Sequence, residues 1–276
     1  MNHRPLLPAL LALALVASWP VVTADSAVAR SGAQRAVVWN GDFETGDLSR
    51  WPFVEGDVQV VRAPTFKSRF AGRVTTTNAP DSSVGGDASF LQTGSFDLPW
   101  EMNGSDSWYR MQVYLPRGQF TPAGSSSGWD MFMEWHNDPG CASSPCKEYS
   151  PYFGIAQDGR HLVLRWVGGD STKPTFTTVV ARGLLRYSHW YDVVVHAVLS
   201  PDPNAGYVVW WVDGVRLFRR HLATLFRRPD GSVSSTQFKV GHYRSTEPTV
   251  DVNYIDGVKV GRTARSIGFK PKTRRA

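Results

Sequence analysis

The sequence predicts an all-β protein, one antiparallel β-sandwich, and three observations carry the prediction. Short runs rich in Val, Tyr, Trp and Thr recur between clusters of Gly, Pro, Asn and Asp, the cadence of a sandwich or barrel. Two Asp-Gly pairs, Asp158-Gly159 and Asp213-Gly214, stand between such runs, which signals tight two-residue hairpins. No amphipathic helical window of convincing length follows residue 30, and 25 Gly and 18 Pro argue against a helical bundle.

At 276 residues the chain exceeds a typical domain, yet one large β domain reaches about 200–250 residues. A hydrophobic content of 42%, with 11 Trp, excludes disorder over most of the chain, because that apolar surface offsets the entropy of ordering. The two cysteines exclude a small disulfide scaffold and a four-cysteine zinc site.

Taken in order, the first element is a leader. Residues 1–4 carry one cation, 6–17 form an apolar run broken only by Pro8, and small residues follow at Ala24, Ala27 and Ala29. This is the pattern of a secretory signal peptide, assigned to residues 1–29, with cleavage after Ala24 or Ala29 both fitting. The run is shorter than the ~20 residues that span a bilayer, so a secreted protein with no membrane attachment after cleavage is expected. Strands follow at 58–62, 73–77, 108–115, 129–136, 152–157, 161–167, 191–199, 207–212, 215–219, 238–243 and 252–260. With no internal repeat and no long linker, residues 36–262 read as one domain. Residues 262–276 hold six cations and no acid, and 263–276 are expected to form a mobile basic tail.

Period-two alternation says which side chains share a face of a strand. On 108–115, Tyr109, Met111, Val113 and Leu115 face the core, leaving Trp108, Arg110, Gln112 and Tyr114 outside. On 129–136 the rule groups Trp129, Met131, Met133 and Trp135, and sets Asp130, Phe132, Glu134 and His136 opposite. On 238–244, Phe238 and Val240 point inward, and Lys239, Gly241 and Tyr243 share the outer face, Gly241 leaving room for a ligand. Rings beside cations suit a groove for an acidic sugar polymer, although spacing alone does not make the three faces converge.

The formal net charge is +6, with 23 Arg among 30 cations, and removing residues 1–29 leaves it at +6. Both a polyanionic partner and a solvated basic surface fit. Export gives Cys141 and Cys146 an oxidising setting, where their spacing reads as a local disulfide fixing the loop after His136.

Six motifs occur in order: Trp39-Asn40-Gly41-Asp42-Phe43-Glu44, Met133-Glu134-Trp135-His136, Trp190-Tyr191-Asp192-Val193, Trp210-Trp211-Val212-Asp213-Gly214, Phe238-Lys239-Val240-Gly241-His242-Tyr243-Arg244 and Tyr254-Ile255-Asp256-Gly257-Val258. Together they resemble the secreted polysaccharide lyases of the heparin lyase I-like superfamily, which includes glucuronan lyases and jelly-roll alginate lyases. The resemblance implies a concanavalin A-like jelly roll and β-elimination on an anionic, uronic-acid-containing polysaccharide. It implies acid and base roles for His136 and Tyr243, assisted by Lys239 and Arg110, with Glu134, Gln112, Trp108 and Arg244 binding substrate. Glu134 departs from the family, which places Gln there. An ionised Glu would repel a uronate, so Glu134 is protonated, orients His136 or an Arg, or yields the role to Gln112 or Arg244; exchange for Gln is expected to be tolerated. No cofactor is required, and a structural calcium ion at Asp42, Glu44 and Asp256 is implied; the other reading of these acids is that they shape turns.

A non-catalytic, lectin-like carbohydrate-binding module is the alternative. A glycoside hydrolase fits less well, since Asp130 and Glu134 lack the intervening acids of that chemistry. Nucleic acid is not expected as a partner of an exported protein, despite the Arg216, Arg219, Arg220, Arg227 and Arg228 cluster. A monomer is expected.

Overall fold

A computed structural model of the chain describes residues 37–78, 87–92, 101–122, 129–138 and 146–272. The chain separates into two units, Met1–Ser31, outside the described residues and holding the whole of the expected signal peptide, and Gly32–Ala276, which carries every described strand. In chain order the strands are β1 (Val37–Asn40), β2 (Phe53–Glu55), β3 (Asp57–Val61), β4 (Ala71–Thr76), β5 (Asp87–Gln92), β6 (Asp106–Tyr114), β7 (Asp130–Asn137) and β8 (Tyr152–Ile155). They continue with β9 (His161–Asp170), β10 (Lys173–Leu184), β11 (Trp190–Val198), β12 (Tyr207–Val212), β13 (Val215–His221), β14 (Phe226–Arg227), β15 (Thr236–Arg244) and β16 (Asp251–Gly261). No helix occurs among the described residues.

The strands form two sheets. The first runs β13-β12-β11-β6-β16-β4-β3, with β1 on β16; the second runs β10-β9-β8-β7-β15-β5-β2, with β14 on β9. Pairing is antiparallel except for the short parallel contact of β14 with β9. The inward faces meet in one core, where Tyr109 of β6 lies 5.2 Å from the Trp135 ring of β7 and 4.9 Å from Phe238 of β15. Trp135, Trp166 and Trp210 are fully buried; truncating such a residue to Ala costs about 3–5 kcal/mol. The expected sandwich is therefore the observed fold.

Local details amend the sequence reading. Asp213 and Gly214 both adopt positive φ, 52° and 80°, the conformation of a two-residue turn between β12 and β13. The Asp158-Gly159 connection is longer, closing with Ala156 N–H donating to the His161 carbonyl at 2.8 Å. On β7 the pairing register shifts between Met131 and Met133, so Phe132 packs in the core against Phe120 and Phe153. Asp130 is buried too, bonded to His242 at 3.0 Å. Met131, not Phe132, thus shares the outer face with Glu134, because the shift exchanges the two faces along the first part of the strand.

The basic tail is also corrected. Residues 263–272 pack on the outer face of the first sheet, where Ile267 and Phe269 are buried against Val194, Val209 and Trp211. Arg110 donates to the Ile267 and Gly268 carbonyls at 3.1 and 2.8 Å, and the Lys272 N–H donates to the Gly214 carbonyl at 3.0 Å. Two apolar side chains in an otherwise cationic segment are enough to dock it.

Candidate active site

The outer face of the second sheet gathers Glu134 and His136 from β7 with Lys239 and Tyr243 from β15, adjacent strands at the middle of the sheet. His136 Nδ1 lies 3.2 Å from Glu134 Oε1. Lys239 is registered directly across from Glu134, and Gln237 across from His136. Tyr243 sits across from Met131, its ring 4.4 Å from that of Trp129. Five residues of β7 therefore separate the His136 and Tyr243 levels, about 16 Å at ~3.3 Å per residue. Between them Glu134, Lys239, Gly241 and Tyr243 line one shallow cleft with Met131 and Phe90. Gly241 has φ 151°, and a Cβ there would lie 2.4 Å from the Ser89 carbonyl oxygen. The glycine thus serves the close approach of β5, rather than only leaving room for a ligand.

Electrostatics distinguish these groups. Burial alone would raise the Glu134 carboxyl, but the His136 hydrogen bond and charge, Lys239 and Ser150 outweigh it and hold it below its ordinary value. Glu134 is therefore an ionised acceptor. Of the three roles open from sequence, orienting His136 fits: an anionic Oε1 at 3.2 Å favours the tautomer with the proton on Nδ1, leaving Nε2 as the basic nitrogen on a side chain 43% exposed. Burial lowers the Lys239 ammonium, with Glu134 and Glu55 opposing; its Nζ lies 4.5 Å from the Phe90 ring centre.

Four residues of this face escaped the sequence reading. Tyr152 of β8 lies across from Glu134, and Arg165 of β9 across from Tyr152. Arg165 hydrogen-bonds Tyr152, whose phenol is pushed up by burial, and its guanidinium sits 4.5 Å over the Phe176 ring. Gln92 of β5 donates to Gln237 beside Lys239. Gln237 carried a signal, since it alternates with Lys239 one position before the run that was read; the others depend on strand pairing.

Four expected site residues lie elsewhere. Trp108, Arg110 and Gln112 do face outward, but from β6 in the other sheet. Arg110 chelates Asp192 at 2.8 and 3.0 Å, Gln112 donates to Asp192 at 2.6 Å, and Trp108 stacks on His196 at 4.2 Å. Alternation reports the face of a strand and not its sheet, so they do not join His136. Arg244 points inward and is fully buried, paired with Asp87 at 3.1 Å and with Asp251, so it is not exposed on the face that carries Lys239.

Asp42, Glu44 and Asp256 line one surface cavity, but no group of three metal-ligating side chains occurs among the described residues. Asp42 is taken by Arg50 and by Asn40 at 2.7 Å. Glu44 accepts from the Arg69 and Phe70 N–H groups, and Asp256 from Phe66 N–H and Ser68. Glu44 is also paired with the Arg69 side chain at 3.0 Å, and burial raises the Asp256 carboxyl, so each of the three carboxylates already has protein partners. Cys141 lies outside the described residues; Cys146 Sγ is 3.3 Å from Ser171 Oγ.

A β-sandwich carrying an imidazole–carboxylate pair among cations and rings on an open sheet holds the groups that a carbohydrate-active enzyme uses. The chain belongs to the polysaccharide lyase family, whose sequence model matches residues 43–259. It is an enzyme, and the lectin-like alternative falls away. No curated protein matches the sequence. Among solved structures, the endo-β-1,4-glucuronan lyase of the fungus Trichoderma reesei superposes with a TM-score of 0.66 at 22% identity, over 84% of this chain and 98% of that chain. The alginate lyase vAL-1 from Chlorella virus gives 0.54 at 15%, over 82% and 100%. The PL-14 alginate lyase from Aplysia kurodai gives 0.51 at 11%, over 82% and 98%. At these identities the likeness speaks for the fold.

Proposed function

We propose that the protein is an exported, monomeric lyase that cleaves a uronate-containing anionic polysaccharide by β-elimination. The observation that carries the reading is the His136–Glu134 pair with Lys239 registered across from Glu134. The glucuronan and alginate lyases among the structural neighbours support the substrate class. The uronate lies between the His136 and Tyr243 levels. His136 Nε2 removes the C5 proton, with the Nδ1–H held by Glu134. Lys239 and Arg165 offset the charge of the uronate carboxylate and of the enolate that develops, the role Gln112 and Arg244 cannot take. The C4–O bond then breaks, its electron pair leaving with the oxygen as the C4=C5 bond forms, and the Tyr243 phenol protonates that oxygen.

This chemistry calls on no cofactor. A calcium ion at Asp42, Glu44 and Asp256 would have to displace their present partners; it would tie the N-terminal turn to β16, and adding calcium would then raise Tm. The Cys141–Cys146 bond belongs to the same proposal, as a brace on the loop beyond His136.

The test is ultraviolet absorbance of the unsaturated uronyl end during incubation with glucuronan, alginate and heparin. Wild type gains absorbance on at least one of them. His136→Ala and Tyr243→Phe each lose about 10²–10⁴-fold of the rate with Tm unchanged; full activity in both would overturn the site assignment.

A further inference from the structure

The groove uses few of the cations, and the arginine cluster beginning at Arg216 lies elsewhere. Arg228 leaves that cluster, since it is half-buried and paired with Glu148 at 2.9 Å and with Asp138. On β13, Arg216, Arg219 and His221 are registered across from Trp211, Val209 and Tyr207. They therefore share the outer face of the first sheet, on the side away from the cleft. The docked C-terminal segment brings sequence-remote cations to the same place: Lys272 packs on the β12–β13 turn at Gly214, and Lys270 and Lys272 are exposed. Tyr207 lies among them, its ring centre 5.7 Å from the Arg219 guanidinium and 4.9 Å from the His221 ring.

Among the described residues Arg216, Arg219, Lys270 and Lys272 meet no acid, and His221 bonds only the Gly206 carbonyl, whereas Arg50, Arg69, Arg110, Arg186 and Arg244 each meet an acid. Charge at a sheet edge also discourages edge-to-edge aggregation, but that does not account for so many cations. β10, the longer edge strand of the second sheet, carries only Lys173 and Arg182 and leaves Phe176, Val180 and Leu184 exposed.

We propose that this face is a second binding surface for the anionic polymer, which holds a chain on the side opposite the cleft. Naming the ligand a polyuronate rests on the lyase reading; the surface itself rests on the charge row and Tyr207. Arginines over an aromatic ring recognise repeated carboxylates through paired hydrogen bonds and stacking, and a second contact raises the effective concentration of polymer at the first.

The test is the triple variant R216A/R219A/K272A in the cleavage-dead His136→Ala background, by affinity electrophoresis through gels holding alginate or glucuronan, with neutral dextran as control. Retention weakens at least tenfold, with Tm unchanged. In the active enzyme, the triple variant keeps wild-type turnover of a short oligouronate that occupies the cleft alone and loses severalfold in kcat/KM on long polymer. Unchanged retention of polyuronate would overturn the proposal, as would loss of affinity for a DNA oligonucleotide only. Absence of unsaturated product from wild type, with retention still lost in the triple variant, would sink the lyase reading and leave this surface standing.

Discussion

Glu134 is the residue at which resemblance and structure part. Exchange for Gln is expected to be harmless if the position only meets substrate, but its carboxylate holds His136 Nδ1 at 3.2 Å. Glu134→Gln should therefore lower kcat about tenfold or more, since a misheld tautomer disables the base, with KM little changed. Stability carries the same signature. The Glu134 carboxyl is lowered in the folded state, so it contributes stability above the unfolded glutamate pKa of about 4.3, lost as pH falls through the folded value. The difference in Tm between wild type and Glu134→Gln should shrink toward acid pH in thermal melts. Arg244, read as a substrate ligand, gives the opposite pattern. Removing a fully buried cation that pairs Asp87 and Asp251 should cost about 3–5 kcal/mol in denaturant unfolding. Both residues sit on outward or inward positions that alternation assigns; what alternation lacks is the partner across the sheet.

Among the elements, eleven strands were legible and β1, β2, β5, β10 and β14 were not. β1, β2 and β14 are two to four residues long, too short for a period to show; β5 buries Asp87 and Ser89 beside Phe90 and Leu91 and so breaks the apolar alternation; and β10 opens on Lys-Pro-Thr with a mostly exposed pattern. β6 was placed correctly as a strand but not in its sheet, and with it Arg110 and Gln112 were lost to the site. The register shift on β7 could not be read either, because one extra inward residue looks the same as regular alternation until a partner strand is present. The C-terminal segment shows how two apolar side chains overrule a charge count. Phe269→Ala should destabilise the domain by about 3 kcal/mol, leaving turnover of a short oligouronate unchanged below the melting range; a mobile tail would show no shift.

On the scale of the whole molecule, the +6 charge resolves into cations in the cleft, cations on the opposite face and arginines neutralised inside or at turns. An enzyme that draws in a polyanion by charge loses on-rate as salt rises. Cleavage of long polymer at low substrate should therefore fall several-fold from low to near-molar salt, more steeply than cleavage of short oligouronates. One topological fact sets how such a molecule is made. β16, the last described strand, lies between β6 and β4 and also pairs with β1. Until β16 has left the ribosome, the first sheet exists only as two unjoined halves. Folding of the domain then waits on pairings of very long sequence separation, which are slow to form. A nascent chain arrested before residue 251 should stay protease-sensitive throughout, with no stable N-terminal half.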